Sequence, residues 1–132
     1  RPAGKLFVQQ FCHKELAYFF DMAGDDNWME RNFFPGGMMP ADQLLPKFQR
    51  DLMLERHWHI DGTHYARTAE AWLKKFDANG AAVRELLETL GSKREAGVQI
   101  RRWRMFLLAV AETFGYRNGQ EWWVSQYRFV KR

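Results

Sequence analysis

The sequence predicts an α/β fold. Three observations carry that expectation: apolar runs bounded by breakers near both ends, amphipathic stretches of helical period between them, and their order. That order is strand, helix, strand, two or three helices, strand. With 132 residues, the chain is the size of one domain, at roughly 100–200 residues each. A hydrophobic content of 46% with 27% charged residues excludes a disordered or low-complexity segment.

Leu6-Phe7-Val8 opens an apolar run that continues through Gln9-Gln10 to Phe11 behind Pro2 and Gly4. Such a run suits a strand buried on both faces. From His13 to Asn32, mixed aromatics and the cluster Gly24-Asp25-Asp26-Asn27 predict a loop. In Phe33–Pro40, Pro35 and Pro40 enclose Gly36-Gly37, predicting a turn that no regular element crosses. The Phe and Met residues beside it require a partner surface or a cavity. Pro40 is expected to open a helix, with Asp42 in its first turn and Leu44, Leu45, Phe48 and Leu52 along one side.

Residues Leu54–Ile60 alternate, with Leu54, Arg56, Trp58 and Ile60 opposite Glu55, His57 and His59, so a strand is expected to end at Asp61-Gly62. Thr63 is expected to cap the next helix, whose stripe is Tyr65, Thr68 or Ala69, Trp72, Leu73 and Phe76. Asn79-Gly80 interrupts it, and Val83, Leu86, Leu87 and Leu90 continue a helical stripe to Gly91. A further helix runs from about Val98 to Phe114 and is closed by Gly115 and Asn118-Gly119. Trp122–Val130, aromatic and β-branched, forms the last strand. Three strands cannot cover a central one, so more sheet is expected before Arg1. The missing initial Met also marks the chain as a piece of something longer.

Lys and Arg outnumber Asp and Glu 20 to 16, giving a net charge of +4 and a pI near 9.4. This balance favours anionic partners such as phosphates or lipid headgroups, peripheral membrane contact included. The basic residues are scattered, and Trp103 breaks the run Arg101–Arg104, which argues against a nucleic-acid groove. No run is long and apolar enough for a membrane span. The lone Cys12 points to a reducing compartment, the cytoplasm, and reads as a small buried hydrophobe near a strand end.

Candidate chemistry is sparse. His57-x-His59 could share an ion from one strand face, with His64 nearby, but further ligands of clear spacing are missing, so no metal centre is expected. Gly36-Gly37 exposes backbone N–H groups, yet fits neither the dinucleotide fingerprint nor the Walker loop. The stripe Trp103, Phe106, Leu107, Val110 reads as core or as a pocket wall.

Several ordered motifs carry a resemblance. They are Phe11–Lys14, Asn27-Trp28-Met29, Phe33–Pro40, His64–Thr68 with Trp72-Leu73, Ala109–Tyr116, Asn118-Gly119 and Glu121-Trp122. In this order the chain resembles the C-terminal part of the cyclopropane-fatty-acid synthase family of S-adenosylmethionine-dependent methyltransferases, on the coclaurine N-methyltransferase-like branch. The resemblance implies a class I, Rossmann-like sheet, seven-stranded and mostly parallel with an antiparallel last hairpin. This chain would be the C-terminal part of one methyltransferase domain, holding its last three strands, with a helical lid inserted after Gly62. The glycine-rich loop and the acidic residue that bind S-adenosylmethionine lie upstream in the family, so the chain alone is not expected to bind it.

Tyr65 matches a tyrosine that helps hold bicarbonate as general base in the lipid cyclopropane synthases. Gln9 stands where they place a histidine, and Gln does not titrate. The resemblance further implies an acceptor site around Phe11, Phe34, Gly36, Gly37, Trp103 and Phe106, with Phe11 contributing its carbonyl. The implied activity is methyl transfer to an amine nitrogen or to an unsaturated acyl chain. The alternative is a non-catalytic or partner lobe of a methyltransferase assembly.

Overall fold

The structure, a computed structural model, describes residues 4–20 and 27–132. In chain order its strands and α-helices are β1 (Lys5–His13), β2 (Tyr18–Phe19), α1 (Trp28–Phe33), β3 (Met38–Met39), β4 (Leu52–Ile60), α2 (Gly62–Ala78), α3 (Gly80–Leu90), α4 (Lys93–Gly115) and β5 (Trp122–Lys131). The expected loop residues Gly24–Asp26 lie outside the described residues.

The main sheet has the order β1-β5-β4. β5 is antiparallel to both neighbours, with Phe11 opposite Val124 on one side and His59 opposite Ser125 on the other. β1 and β4 therefore run parallel, and the last strand fills the gap between them. The expected strands are all present. A register shift between Leu54 and Arg56 makes Glu55 an extra residue, a β-bulge that restarts the alternation. The expected double burial of β1 holds only at its end. Cys12 and His13 are buried, whereas Leu6 and Phe7 are 45% and 55% exposed. Among the described residues β1 is an edge strand, and nothing covers its first half.

The region between β1 and β4 departs from expectation. β2 and β3 form a small antiparallel ribbon inside the predicted loop and turn, with Phe20 N–H donating to the Gly37 carbonyl. Gly36 takes φ +74°, where a side chain would be strained. The helix expected after Pro40 is reduced to one 3₁₀ turn, Leu45–Lys47. Pro46 lacks the N–H that a helix needs and biases Leu45 away from helical backbone. The backbone just after Pro40 is also engaged elsewhere: His13 N–H donates to the Pro40 carbonyl, and Asp42 N–H to the His13 carbonyl.

The helices follow the sequence more closely. Asp61, not Thr63, caps α2: its carboxylate accepts from the Thr63 N–H and hydroxyl and from Gln120. α4 starts at Lys93 rather than near Val98, because Ser92 and Glu95 form a reciprocal capping box. The core between α2 and α4 is Ala66, Ala69, Val110 and Phe114, flanked by Phe11, Tyr65, Phe106 and Trp122. The small residues of α2 admit the large ones of α4. A Cβ on Gly62 would lie 2.1 Å from the Trp122 carbonyl oxygen and 2.4 Å from that of Phe114. That glycine lets the start of α2, the end of α4 and the start of β5 meet.

Candidate functional site

Two cavities meet at the carboxyl ends of β1 and β4, the usual ligand position in open α/β sheets. The inner one holds about 200 Å³. Phe11 reaches it from β1 and Tyr65 from the first turns of α2. One face of α4 supplies Phe106, Val110, Thr113 and Phe114, and Trp122 closes the end. The turn after α1 adds Phe34, whose ring centroid is 6.3 Å from Phe11, 5.5 Å from Phe20 and 5.7 Å from Phe106. Trp122 donates its indole N–H to the Tyr18 hydroxyl at 3.1 Å. Glu30 of α1 is the single charged residue among the described residues of this wall.

The second cavity, about 430 Å³, is bounded by Gln9, Phe11, His64, Tyr65, Thr68 and Trp72 among others. Tyr65 and Phe11 stand between the two spaces. The Tyr65 ring packs on Phe114 at 4.5 Å and edge-on to Trp72 at 6.2 Å. Burial pushes its phenol pKa up, and the hydroxyl makes no hydrogen bond among the described residues. Gln9 accepts at its amide oxygen from Gln126 at 2.7 Å, leaving its N–H₂ to donate.

Of the expected site residues, Phe11, Phe34, Phe106 and Tyr65 line the inner cavity, and Gln9 and Tyr65 share the outer one. Trp103 borders neither. It packs edge-on to Phe33 at 5.0 Å and to Phe106 at 5.7 Å and stays 42% exposed, so it buttresses the wall from behind. Gly36 and Gly37 line neither space and shape the turn that presents Phe34. Gly37 donates to the Phe34 carbonyl, and a Cβ on it would meet the Phe20 ring at 2.9 Å. Sequence reasoning missed Glu30, Thr113 and Trp122. The motif Asn27-Trp28-Met29 stops one residue short of Glu30, and Thr113 follows from continuing the α4 face past Val110.

A separate polar cluster lies on the opposite face of the sheet. Asp42, Cys12 and Ser125 are buried there. The Asp42 carboxylate accepts from the Ser125 hydroxyl, from Trp123 Nε1 at 3.2 Å, from His59 Nε2 at 3.1 Å and from Gln43 at 2.8 Å. Tyr127 donates to the Asp42 backbone carbonyl at 2.7 Å. His57 Nε2 also lies 3.1 Å from the carboxylate but is not aligned to donate. Ligand atoms of Asp42, His57 and His59 fall within 4.8 Å of one another, so the carboxylate supplies the third potential ligand that the sequence did not reveal. Both carboxylate oxygens, however, are already engaged by protein donors, and the cluster acts as a clamp tying the segment after Pro40 to the sheet. Burial works to raise the Asp42 pKa, but the Ser125 and Trp123 hydrogen bonds and the two imidazoles outweigh it, and the net shift is downward. Burial is also the main cause that lowers His57.

No protein-family model matches the chain. It is 38% identical over 133 residues to (S)-coclaurine N-methyltransferase of Thalictrum flavum subsp. glaucum, a match covering 98% of this chain and 37% of that protein. It is also 38% identical over 130 residues to (S)-tetrahydroprotoberberine N-methyltransferase of Eschscholzia californica. A crystal structure of coclaurine N-methyltransferase bound to N-methylheliamine and SAH superposes with a TM-score of 0.88 at 38% identity, covering 98% of this chain and 39% of that one. The chain is thus similar to these N-methyltransferases over nearly all of its own length. It spans little more than a third of the length of the curated relatives it matches. The cyclopropane synthase MmaA2 of Mycobacterium tuberculosis shares the fold, with a TM-score of 0.71 at 20% identity. The curated relatives are named as enzymes, and nothing among them supports the non-catalytic alternative. Among the described residues no helix is long and apolar enough to cross a membrane.

Proposed function

We propose that this chain is the acceptor-binding and lid portion of one S-adenosylmethionine-dependent methyltransferase domain, and that the acceptor is an amine nitrogen. The observation that carries this reading is the inner cavity, walled by aromatic rings, lined by one acidic residue, Glu30, and reached by Phe11 near the carboxyl end of β1. Ring faces attract the positive charge of sulfonium and ammonium groups. The relatives add support, being named N-methyltransferases, and the coclaurine enzyme structure contains N-methylheliamine and SAH.

The residues present fit one end of the cofactor only. The one strand-to-helix turn from a parallel strand, Asp61-Gly62 between β4 and α2, is packed against the Trp122 and Phe114 carbonyls and closed by the Asp61 cap, so it offers no cradle. The cofactor's amino-acid and ribose ends therefore fall to the upstream half of the domain, and the aromatic wall meets the reacting end. When bound, the cofactor supplies the methyl group on its sulfonium. This chain's own part is to hold the acceptor, exclude water and orient the nitrogen lone pair, which are the contributions that lower a bimolecular barrier most. The Tyr65 hydroxyl, without a partner among the described residues, can hydrogen-bond an amine.

A second reading rests on the outer cavity, where Tyr65 and Gln9 offer neutral donors and His64 a ring nitrogen. That set fits an oxyanion such as bicarbonate, and so methylation or cyclopropanation of an unsaturated acyl chain. The deciding experiment is methyl transfer by the full-length protein from labelled cofactor to a panel of secondary and tertiary arylalkyl amines and to unsaturated phospholipid, with and without bicarbonate. Amine methylation indifferent to bicarbonate is expected. Transfer to phospholipid alone overturns the amine reading.

A further inference from the structure

We infer that Glu30 is the specificity-determining residue of the inner cavity: its carboxylate selects an amine acceptor that arrives as its ammonium ion, the proton passing to water before the freed lone pair attacks, and rejects acceptors of the same shape that carry no charge. The inference deepens the proposed function and rests on its placing the acceptor in this cavity.

Among the described residues of the wall, Glu30 is the only ionisable group of acidic character apart from the Tyr65 and Tyr18 phenols, and it makes no ion pair with any described residue. The rest of the wall is rings and aliphatic groups. Glu30 is partly buried and lines this space, and a carboxylate there keeps its hydration only while the space holds water. An uncharged ligand would strip that hydration and leave the charge unpaired, which is costly. A cation replaces the lost water with Coulomb attraction, strengthened by the low local polarity, and gains ring-face attraction from Phe34, Phe106 and Trp122. The carboxylate thus sets the sign of the ligand and the rings set its shape.

Its position is also held. Phe33, on the same short helix, stacks on Phe106 at 4.3 Å and meets Trp103 at 5.0 Å. Trp28 packs on Phe33 at 5.6 Å, and Phe34 N–H donates to the Glu30 carbonyl at 3.1 Å. These ring contacts pin α1 to α4. The competing account makes Glu30 an ordinary first-turn acid that favours the helix dipole. It predicts a small stability effect and none on ligand choice.

The test uses the full-length protein and two near-isosteric probes, phenyltrimethylammonium and tert-butylbenzene, with affinity followed by tryptophan fluorescence and calorimetry. The wild type is expected to bind the cation at least tenfold more tightly than the hydrocarbon. Glu30→Gln is expected to weaken the cation about tenfold, or 1.4 kcal/mol, while leaving the hydrocarbon unchanged or tighter. Glu30→Asp should keep part of the preference. Equal affinities in the wild type, or a preference that survives Glu30→Gln with the melting temperature unchanged, overturn the inference. Should Glu30→Gln fail to fold, the wild-type comparison and the Asp variant still decide. Selectivity that depends on Glu30 without any amine methylation would sink the proposed reaction and keep this inference. Amine methylation with no role for Glu30 in selectivity would do the reverse.

Discussion

Replacing Tyr65 by Phe removes one oxygen from the boundary between the two cavities and leaves the ring in place. The packing on Phe114 and Trp72 is retained. The hydroxyl has no partner among the described residues and burial disfavours its ionised form, so its loss deletes a poorly solvated polar group. The expected stability change is neutral to favourable, at most about 1 kcal/mol. The rate should move the other way, and its size separates the two acceptor readings. If the hydroxyl orients a neutral amine, it is worth an ordinary hydrogen bond, about 0.5–1.5 kcal/mol, or roughly a two- to twelvefold loss of kcat. If it holds an anionic base or a developing charge, the loss should approach the roughly 10²–10³-fold seen for preorganised oxyanion donors. Because the phenol pKa is raised, the group stays neutral at working pH and the defect should not vary across it. Initial rates with labelled cofactor, beside thermal melts of both proteins, provide the measurement. A variant that melts lower and turns over normally would refute the reasoning, since Tyr65 would then be packing alone.

Three further outcomes are expected. Gly62→Ala should destabilise by more than about 4 kcal/mol or prevent folding, because its Cβ has nowhere to go between two carbonyl oxygens; a melting temperature near that of the wild type would contradict the packing at this junction. Acidification should loosen the Asp42 clamp in two stages. His57, whose folded pKa lies below its ordinary 6.5, begins to cost stability as the pH drops below that value, since the unfolded chain takes up the proton first. Asp42, depressed below its ordinary 3.8, contributes stability above that value and loses it as the pH falls through its lower folded pKa; melting temperature against pH, with His57→Asn abolishing the first stage, is the check. Cys12, fully buried with its pKa raised to about 11, mainly by burial, should resist thiol reagents in the native protein near pH 8 and react only on unfolding.

The three long strands and the helices α2, α3 and α4 were legible because they obey local rules. β4 alternates, β5 is aromatic and β-branched, and Asn79-Gly80 and Gly91 bound α3. The errors share a cause: a residue whose local preference gives way to a tertiary partner. Asp42 reads as a helix first-turn acid and is instead the acceptor for Ser125, Trp123 and His59, none near it in sequence. Thr63 reads as a cap, yet Asp61 reaches both its N–H and hydroxyl and gains Gln120 from the far end of the lid. The early start of α4 was readable, since Ser92 and Glu95 have capping-box spacing. The resemblance supplied what spacing could not, the expectation that Tyr65 and Phe106 stand at the site; Trp103, expected there too, lies behind the cavity wall. On α4 Trp103 lies one turn before Phe106, far enough round for the rings of α1 to come between it and the cavity.

The two faces of the sheet divide the work. On the face of Cys12, Ser125 and Tyr127, hydrogen bonds converge on Asp42 and fix the segment after Pro40. The ribbon of β2 and β3 and the turn at Gly36-Gly37 continue from that fixed segment, so the clamp also sets where Phe34 stands. On the face of Phe11 and Val124 the described residues form only separate pairs, Gln126 with Gln9 and Trp122 with Tyr18. Rings from β1, α1 and α4 meet there with a cavity left between them. Hydrogen bonds are directional and hold a backbone in one arrangement, whereas ring packing tolerates small shifts. Placing the rigid network behind the sheet and the rings around the cavity lets the ring faces adjust to an occupant without loosening the strand that positions Phe11.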